Sequence, residues 1–273
     1  FGLIVQDLSG AGAKQSGLRG GAVISNVAHF VEDKALHGAD GMVVVSPAMR
    51  DVVVGLGVPQ SRVTQIYNYS AREILSSHKD AARSRFGWAP DDFVVVHTGN
   101  MGAKQDLENV VRSTDTLPVN SKIKIYLVGH GNQESKLRAL CEGKTNIAML
   151  PAVSDEDYSV ILSAADLLLV NERSTQMDMS LPSKLTSYLY SERPVLAAVP
   201  HGGATWKFLE GVAELVEAGD PVALARKFEE LSGQPEKLAE LARQGKEFAY
   251  ANLSPEVGRK KYLNWVETLI KKV

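Results

Sequence analysis

A chain of 273 residues with a single cysteine, Cys141, cannot close a disulfide on itself, and one thiol cannot build a zinc site. Such cysteine usage suits a reducing cytoplasm, and Cys141 falls in the apolar pattern of a helix, where it reads as a small buried hydrophobe. An excess of one charge is also lacking. The 30 Lys and Arg against 32 Asp and Glu leave a net charge of −2, so nothing in the composition favours wrapping nucleic acid, and a charged partner has to be gripped locally. No apolar run approaches the roughly 20 residues that cross a bilayer. The six histidines show no ligand spacing, and there is no G-x-S-x-G elbow for covalent hydrolysis.

What is present is 44% apolar content, enough for real cores. Short runs rich in valine and isoleucine alternate with segments of helical period, the pattern of parallel strands joined by crossover helices, so the expected class is α/β. Three strands are expected before residue 70: Gly2 to Val5, Met42 to Val45 and Val63 to Ile66. A helix between the first two should bury Ile24, Val27, Ala28, Val31 and Ala35. In "SPAMRDVVVGLG", Ser46 can cap a helix, Pro47 suits its first position and Gly57 can stop it. The mixed, polar stretch from Ala71 to Asp92 reads as a connection.

Six further strands follow: Phe93 to Thr98, Ile123 to Val128, Ile147 to Leu150, Leu167 to Val170, Val195 to Val199, and Ala213 to Val216. Six strands with crossovers complete a doubly wound sheet, whereas three make part of one. The expected division is a partial front domain at 1–72, a complete domain at 90–248 and a closing helix at 254–273 that packs back on the front domain. That helix should bury Tyr262, Trp265, Val266, Leu269, Ile270 and Val273, and its Lys260, Lys261, Lys271 and Lys272 suit either solvent or an anionic membrane surface.

Three turns carry candidate chemistry. In "HTGNMGAKQDLENVV", Gly99 and Gly102 let the backbone approach a ligand, Asp106 can cap the next helix, and Lys104 adds a cation. A glycine turn leading into a helix start binds anions, because unpaired N–H groups and the helix dipole face outward. In "VGHGNQESKL", Gly129, His130 and Gly131 could line the same crevice at the carboxyl edge of the sheet. In "MSLPSKLTSYLY", Ser180, Pro182, Ser183 and Lys184 surround a helix start with hydroxyls and an ammonium, chemistry that fits a diphosphate. The plain alternatives are tight structural turns and an ordinary cap. Asp155 and Asp157 form a D-x-D that could hold a metal but sits where acidic residues complement a helix dipole, and no metal is assigned.

Taken in order, "ADGMVVVSPAMRDVVVGLGVPQSRVTQIYNYS", "VVHTGNMGAKQDLENVV", "YLVGHGNQESKL", "AADLLLV", "SLPSKLTSYLYSERPVLAAV" and "VEAGDPVALARKFEEL" resemble the family 4 glycosyltransferases of the GT-B fold. The closest branch is similar to bacterial transferases of surface-polysaccharide and O-antigen assembly, with their "QDL" strand, "GN.G..Q" loop and "PSK" helix. The resemblance implies two Rossmann-like domains, the front one incomplete here. It also implies a UDP- or GDP-linked sugar held by the C-terminal domain, a glycan or lipid-linked acceptor on the N-terminal side, and transfer with retention and no required metal or other cofactor.

By position, Gly99, Asn100, Gly102 and Lys104 would face the donor diphosphate. Gly129, His130 and Gly131 would share the crevice, and Ser183 and Lys184 would lie near the phosphates or sugar. Pro151 to Val153 would lie near the base, and Gln6 and Asp7 near the reaction centre. Three places depart from the family: Asn100 stands where many members have arginine, Ser187 where many have the glutamate for the ribose, and Gln6-Asp7 where many have a histidine before an acidic or polar residue. Phe1 already lies in a strand-like run, so the missing front half is expected upstream or on a second subunit. The expected location is cytoplasmic, with peripheral contact at the inner membrane face. The rivals are a sugar-nucleotide epimerase of the same fold and a non-catalytic binding or scaffolding module.

Overall fold

The structure, a computed structural model, describes residues 1–8, 21–69, 78–118, 120–175 and 181–271, with side chains left out for 21–29. The chain divides into two compact units.

The first unit holds Phe1–Tyr69 and the closing segment Asn252–Val273, and Pro182 groups with it. Strands β1 (Gly2–Val5), β2 (Gly41–Val44) and β3 (Val63–Gln65) pair in parallel in the order β1-β2-β3. One face of the sheet packs Val5, Met42 and Val44 against Leu36 of helix α1 (Gly21–Gly38) and Met49 and Val53 of helix α2 (Pro47–Gly55). Helix α2 starts as its sequence dictates: Ser46 Oγ accepts the Met49 N–H at 3.0 Å and Pro47 occupies the first turn. In α1, Leu36 is buried whereas Val31 is exposed; Ile24, Val27 and Ala28 lie outside the described side chains.

The other face carries the last helix, α11 (Pro255–Ile270), whose Trp265, Tyr262 and Leu269 pack with Val43 and Ile66. Gly2 and Gly41 make this possible, since a Cβ at Gly2 would lie 2.7 Å from Leu269 Cδ1 and one at Gly41 2.8 Å from Leu269 Cδ2. Val266 and Ile270, expected on the same face, are exposed. At about 100° per residue they fall on a different stripe from Trp265 and Leu269.

The second unit holds Ser70–Gln176 and Ser183–Ala251. Its sheet is parallel throughout: β4 (Phe93–Asn100), β5 (Ile123–His130), β6 (Ile147–Leu150), β7 (Leu167–Asn171), β8 (Val195–Val199) and β9 (Glu214–Glu217), in the order β6-β5-β4-β7-β8-β9. The α/β expectation with a complete six-stranded sheet and a three-stranded partial one therefore holds. Strands β7 and β8 are buried along their whole length, as unbroken apolar runs require when both faces are covered. Around the sheet lie α3 (Lys79–Phe86), α4 (Leu107–Ser113), α5 (Glu134–Cys141), α6 (Asp155–Ala164), α7 (Lys184–Tyr190), α8 (Ala204–Leu209), α9 (Pro221–Ser232) and α10 (Pro235–Asn252).

Part of the stretch read as a connection is helix α3, which packs on α6. The reason is Arg83, whose guanidinium is buried and donates to the carbonyls of Ala164 (3.1 Å), Pro90 (2.8 Å) and Asp92 (3.0 Å) and pairs with Asp166. Trp88 then stacks on Tyr126 of β5, with ring centroids 4.1 Å apart. A polar composition masked a helix held by one buried cation. Ser154 caps α6 through the Asp157 N–H, and Asp157 pairs with Arg85, so these groups serve the helix start.

Candidate functional site

The strand order reverses between β4 and β7: the chain builds β5 and β6 on one side of β4, then returns to place β7, β8 and β9 on the other. At such a switch point, neighbouring connections leave in opposite directions and a crevice opens at the carboxyl ends of the strands. The pairing shows where it opens. Strand β4 stays with β5 through Asn100 opposite His130, but its ladder with β7 covers only Val95–Leu167 and Val96–Leu168.

Beyond that point side chains take the ladder's place. The Leu169 carbonyl accepts from His97 Nδ1 at 3.0 Å, and the Thr98 N–H donates to Tyr188 Oη of α7 at 2.8 Å. A carbonyl only accepts, so His97 Nδ1 carries the proton and Nε2 presents a lone pair. Lys184 Nζ stands 3.0 Å from that Nε2. It also lies over Gly99, where a Cβ would be 3.4 Å from the ammonium nitrogen. Two predicted site residues 85 positions apart in sequence, Gly99 and Lys184, therefore meet at the rim of one sheet.

The electrostatics follow from burial. His97 is fully buried and its pKa lies well below the ordinary imidazole value, first because burial penalises its charge and second because Lys184 is beside it. Burial likewise pushes the Lys184 ammonium down to about 7, opposed by the charge of Glu172. Glu172 follows β7, and its Oε1 accepts from Thr205 Oγ1 at 2.8 Å. Tyr188 is buried and its phenol is raised by desolvation, which keeps it a neutral partner for Thr98. His97, Glu172 and Tyr188 were not among the sequence candidates. A histidine after three valines in "FVVVHTGN" was the one available signal.

The loop after β4 differs from its expected form. Gly99 and Asn100 continue the strand opposite Gly129 and His130. This needs glycine at both: φ is +113° at Gly99 and +142° at Gly129, and a Cβ on Gly129 would lie 2.0 Å from the Gly99 carbonyl oxygen. The N–H groups expected to face a ligand are partly engaged by the chain itself. Met101 N–H donates to the His130 carbonyl at 2.8 Å and Gly102 N–H to Gln105 Oε1 at 3.2 Å. The open side of Gly131 is filled by the Met101 backbone, and that of Gly102 by Asn100 Nδ2 and Gln105 Oε1.

Asp106 stands at the start of α4 with φ +42°, but its side chain makes no capping bond among the described residues. Asn171, at the end of β7, instead donates to the carbonyls of Gln105 (2.8 Å) and Asp106 (3.0 Å), while Arg173 N–H donates to the Lys104 carbonyl (2.9 Å). These bonds fix the loop rigidly against β5 and β7 and leave the Lys104 side chain exposed.

Ser183 is exposed and makes no capping bond among the described residues, so α7 begins with its first N–H groups uncapped by that hydroxyl. Ser187 is half-buried on α7, Pro151 and Val153 follow β6, and Ser180 lies outside the described residues. Gln6 and Asp7 belong to the first unit, after β1; Gln6 Oε1 accepts from Asn68 Nδ2 at 3.0 Å, and both residues are exposed.

The sequence profile of the group 1 glycosyl transferases matches residues 78–248. The chain belongs to that family. WcaI of Escherichia coli K12, named for glycosyl transfer in colanic acid biosynthesis, is 27% identical over 175 residues, which cover 62% of this chain and 43% of WcaI. The matched part is thus under half the length of that relative. The crystal structure of Anabaena HepE in complex with UDP superposes with a TM-score of 0.79 at 15% identity, covering 99% of this chain and 72% of HepE. Sucrose-phosphate synthase of Thermosynechococcus elongatus superposes with a TM-score of 0.78 at 19% identity over 99% of this chain and 68% of that one. The fold is therefore that of the GT-B glycosyltransferases. In this group 1 chain the profile begins at residue 78, beside α3, and ends within α10, so it spans nearly the whole second unit.

Proposed function

We propose that the protein transfers a sugar, with retention, from a UDP- or GDP-linked donor to a lipid-linked or polysaccharide acceptor, as a step in surface-polysaccharide or O-antigen assembly. The observation that carries the reading is the Lys184 ammonium seated over Gly99 at the switch point, where an α/β sheet takes its ligand. HepE, of the same fold, was crystallised with UDP and with UDP-glucose, which supports a uridine-linked donor; the group moved is taken to be a hexosyl or N-acetylhexosaminyl unit.

In this reading Lys184 neutralises the diphosphate as the bond from the anomeric carbon to the phosphate oxygen lengthens. A preorganised cation in a partly dry site stabilises such a leaving group more strongly than water can. Lys104 and the uncapped start of α7 add to the same field. Ser183 and Ser187 approach the donor from α7, Pro151 and Val153 its base. Gln6 and Asp7 are assigned to the acceptor side near the reacting carbon. No metal is required, because the cationic side chains supply the charge. No described helix is long and apolar enough to cross a membrane, and the proposed place of work is the cytoplasmic membrane face.

Calorimetric titration with UDP, GDP and their sugars tests the assignment. Lys184→Ala should weaken nucleoside-diphosphate binding by about tenfold or more, the scale of a charge-assisted contact, and Lys104→Ala by less. Unchanged affinity in both variants overturns it. Products from a donor screen with the protein and its acceptor should keep the donor's anomeric configuration; release of epimerised free sugar would identify an epimerase instead.

A further inference from the structure

We infer that His97 is a positioning residue for the donor, its neutral imidazole holding the Lys184 ammonium at the spot where the phosphates bind. The inference rests on the reading of Lys184 as a phosphate ligand. His97 sits fully buried in its strand directly after three valines, and both of its ring nitrogens are used. Nδ1 is tied to the Leu169 carbonyl of the neighbouring strand, and Nε2 faces Lys184 Nζ at 3.0 Å. The first bond sets the tautomer and the ring plane, so the second can only be an acceptor for the ammonium.

An imidazole costs more to bury than the valine that would continue the strand, and its bond to the Leu169 carbonyl, where the β4–β7 ladder has ended, occupies only one of its two ring nitrogens. What it adds is an anchored acceptor for a lysine. A lysine side chain, with its many rotamers, loses much conformational entropy when fixed. Fixing it before the donor arrives removes that loss from the binding step. The charged and titratable groups that face Lys184 are His97 from β4 and Glu172 beyond β7, with Tyr188 one turn along α7 turned toward Thr98. Of these, only His97 makes a direct hydrogen bond to Lys184 among the described residues.

The test is UDP and GDP titration of the whole chain between about pH 6 and 9, with circular dichroism confirming that each variant is folded. His97→Asn keeps a donor near Nδ1 for Leu169 but has no acceptor at the Nε2 position; His97→Gln reaches that position with a neutral acceptor. His97→Asn should bind nucleoside diphosphate about tenfold more weakly, and the pH above which affinity declines should fall by about one unit, because an ammonium that has lost its acceptor gives up its proton more readily. His97→Gln should recover most of both. Equal affinity and equal pH midpoints for the parent, His97→Asn and His97→Gln would overturn the inference. Lys184→Ala separates the two levels: if it does not weaken binding, the donor-site reading fails, and if it does while His97→Asn does not, only the role of His97 fails.

Discussion

Replacing Lys184 with methionine should make the unliganded protein more stable, and more so in acid than in base. An unfolded lysine titrates near about 10.4, while burial holds Lys184 at about 7 in the folded chain. Below pH 7 both states carry the proton, and the folded state bears the whole cost of a desolvated ammonium. As pH rises from about 7 to about 10.4 the unfolded state keeps a proton that the folded state has lost, so stability climbs with pH across that window. The full displacement corresponds to about 5 kcal/mol at ~1.4 kcal/mol per pH unit. Lys184 keeps part of its surface in water, which screens the effect to about 2–4 kcal/mol.

Lys184→Met preserves the stem and removes the charge but leaves Nε2 of His97 without its donor, at a cost of about 1 kcal/mol. The net expectation is a gain of about 1–3 kcal/mol near pH 6 that shrinks above pH 7 and becomes a loss of about 1 kcal/mol by about pH 10, where only the missing donor to Nε2 remains. Urea unfolding at about pH 6, 8 and 9.5, followed by tryptophan fluorescence and compared at constant slope, measures it. A variant less stable than the parent at pH 6, or a difference that does not change with pH, would refute the argument. Stability gained where binding is lost is the signature of a site held under electrostatic strain.

Gly129→Ala should cost upward of ~3 kcal/mol, because its Cβ would meet the Gly99 carbonyl oxygen at 2.0 Å; Gly211→Ala, with positive φ but open space around it, is the control and should cost only about 1 kcal/mol. Thermal melts of the two distinguish crowding from backbone preference. Arg83→Met should destabilise the second unit by about 3–5 kcal/mol, since it strips the buried Ala164 carbonyl and the partly buried Pro90 and Asp92 carbonyls of a donor and leaves Asp166 short of a cation; a midpoint within about 0.5 kcal/mol of the parent would show that α3 is held by something else.

The strands were legible to within two residues because short apolar runs between turn signals mark them, most plainly in β2, β7 and β8, which are buried on both faces. The ends of β4 and β5 were not. Gly99 and Gly129 look like turn glycines in isolation, and only their mutual approach shows that each lets the other strand continue. Helix α3 was missed for a related reason: its polar composition hides Arg83, whose partners at Ala164 and Asp166 are some eighty residues away. In the last helix the pattern placed Val266 and Ile270 with Trp265, and the packing chose the narrower stripe.

Local sequence determined which segments become strands, where α2, α6 and α9 take their caps, and that Lys184 opens a helix. These depend on spacing and on the stereochemistry of a few residues around each position. Tertiary structure decided that the chain crosses from β6 back past β4, and that the β4–β7 ladder stops after two pairs. It thereby decided that His97 and Lys184, 87 residues apart, share a hydrogen bond. Strand order has no local periodicity to announce it, so the meaning of a histidine in a run of valines depends on which strand lies beside it.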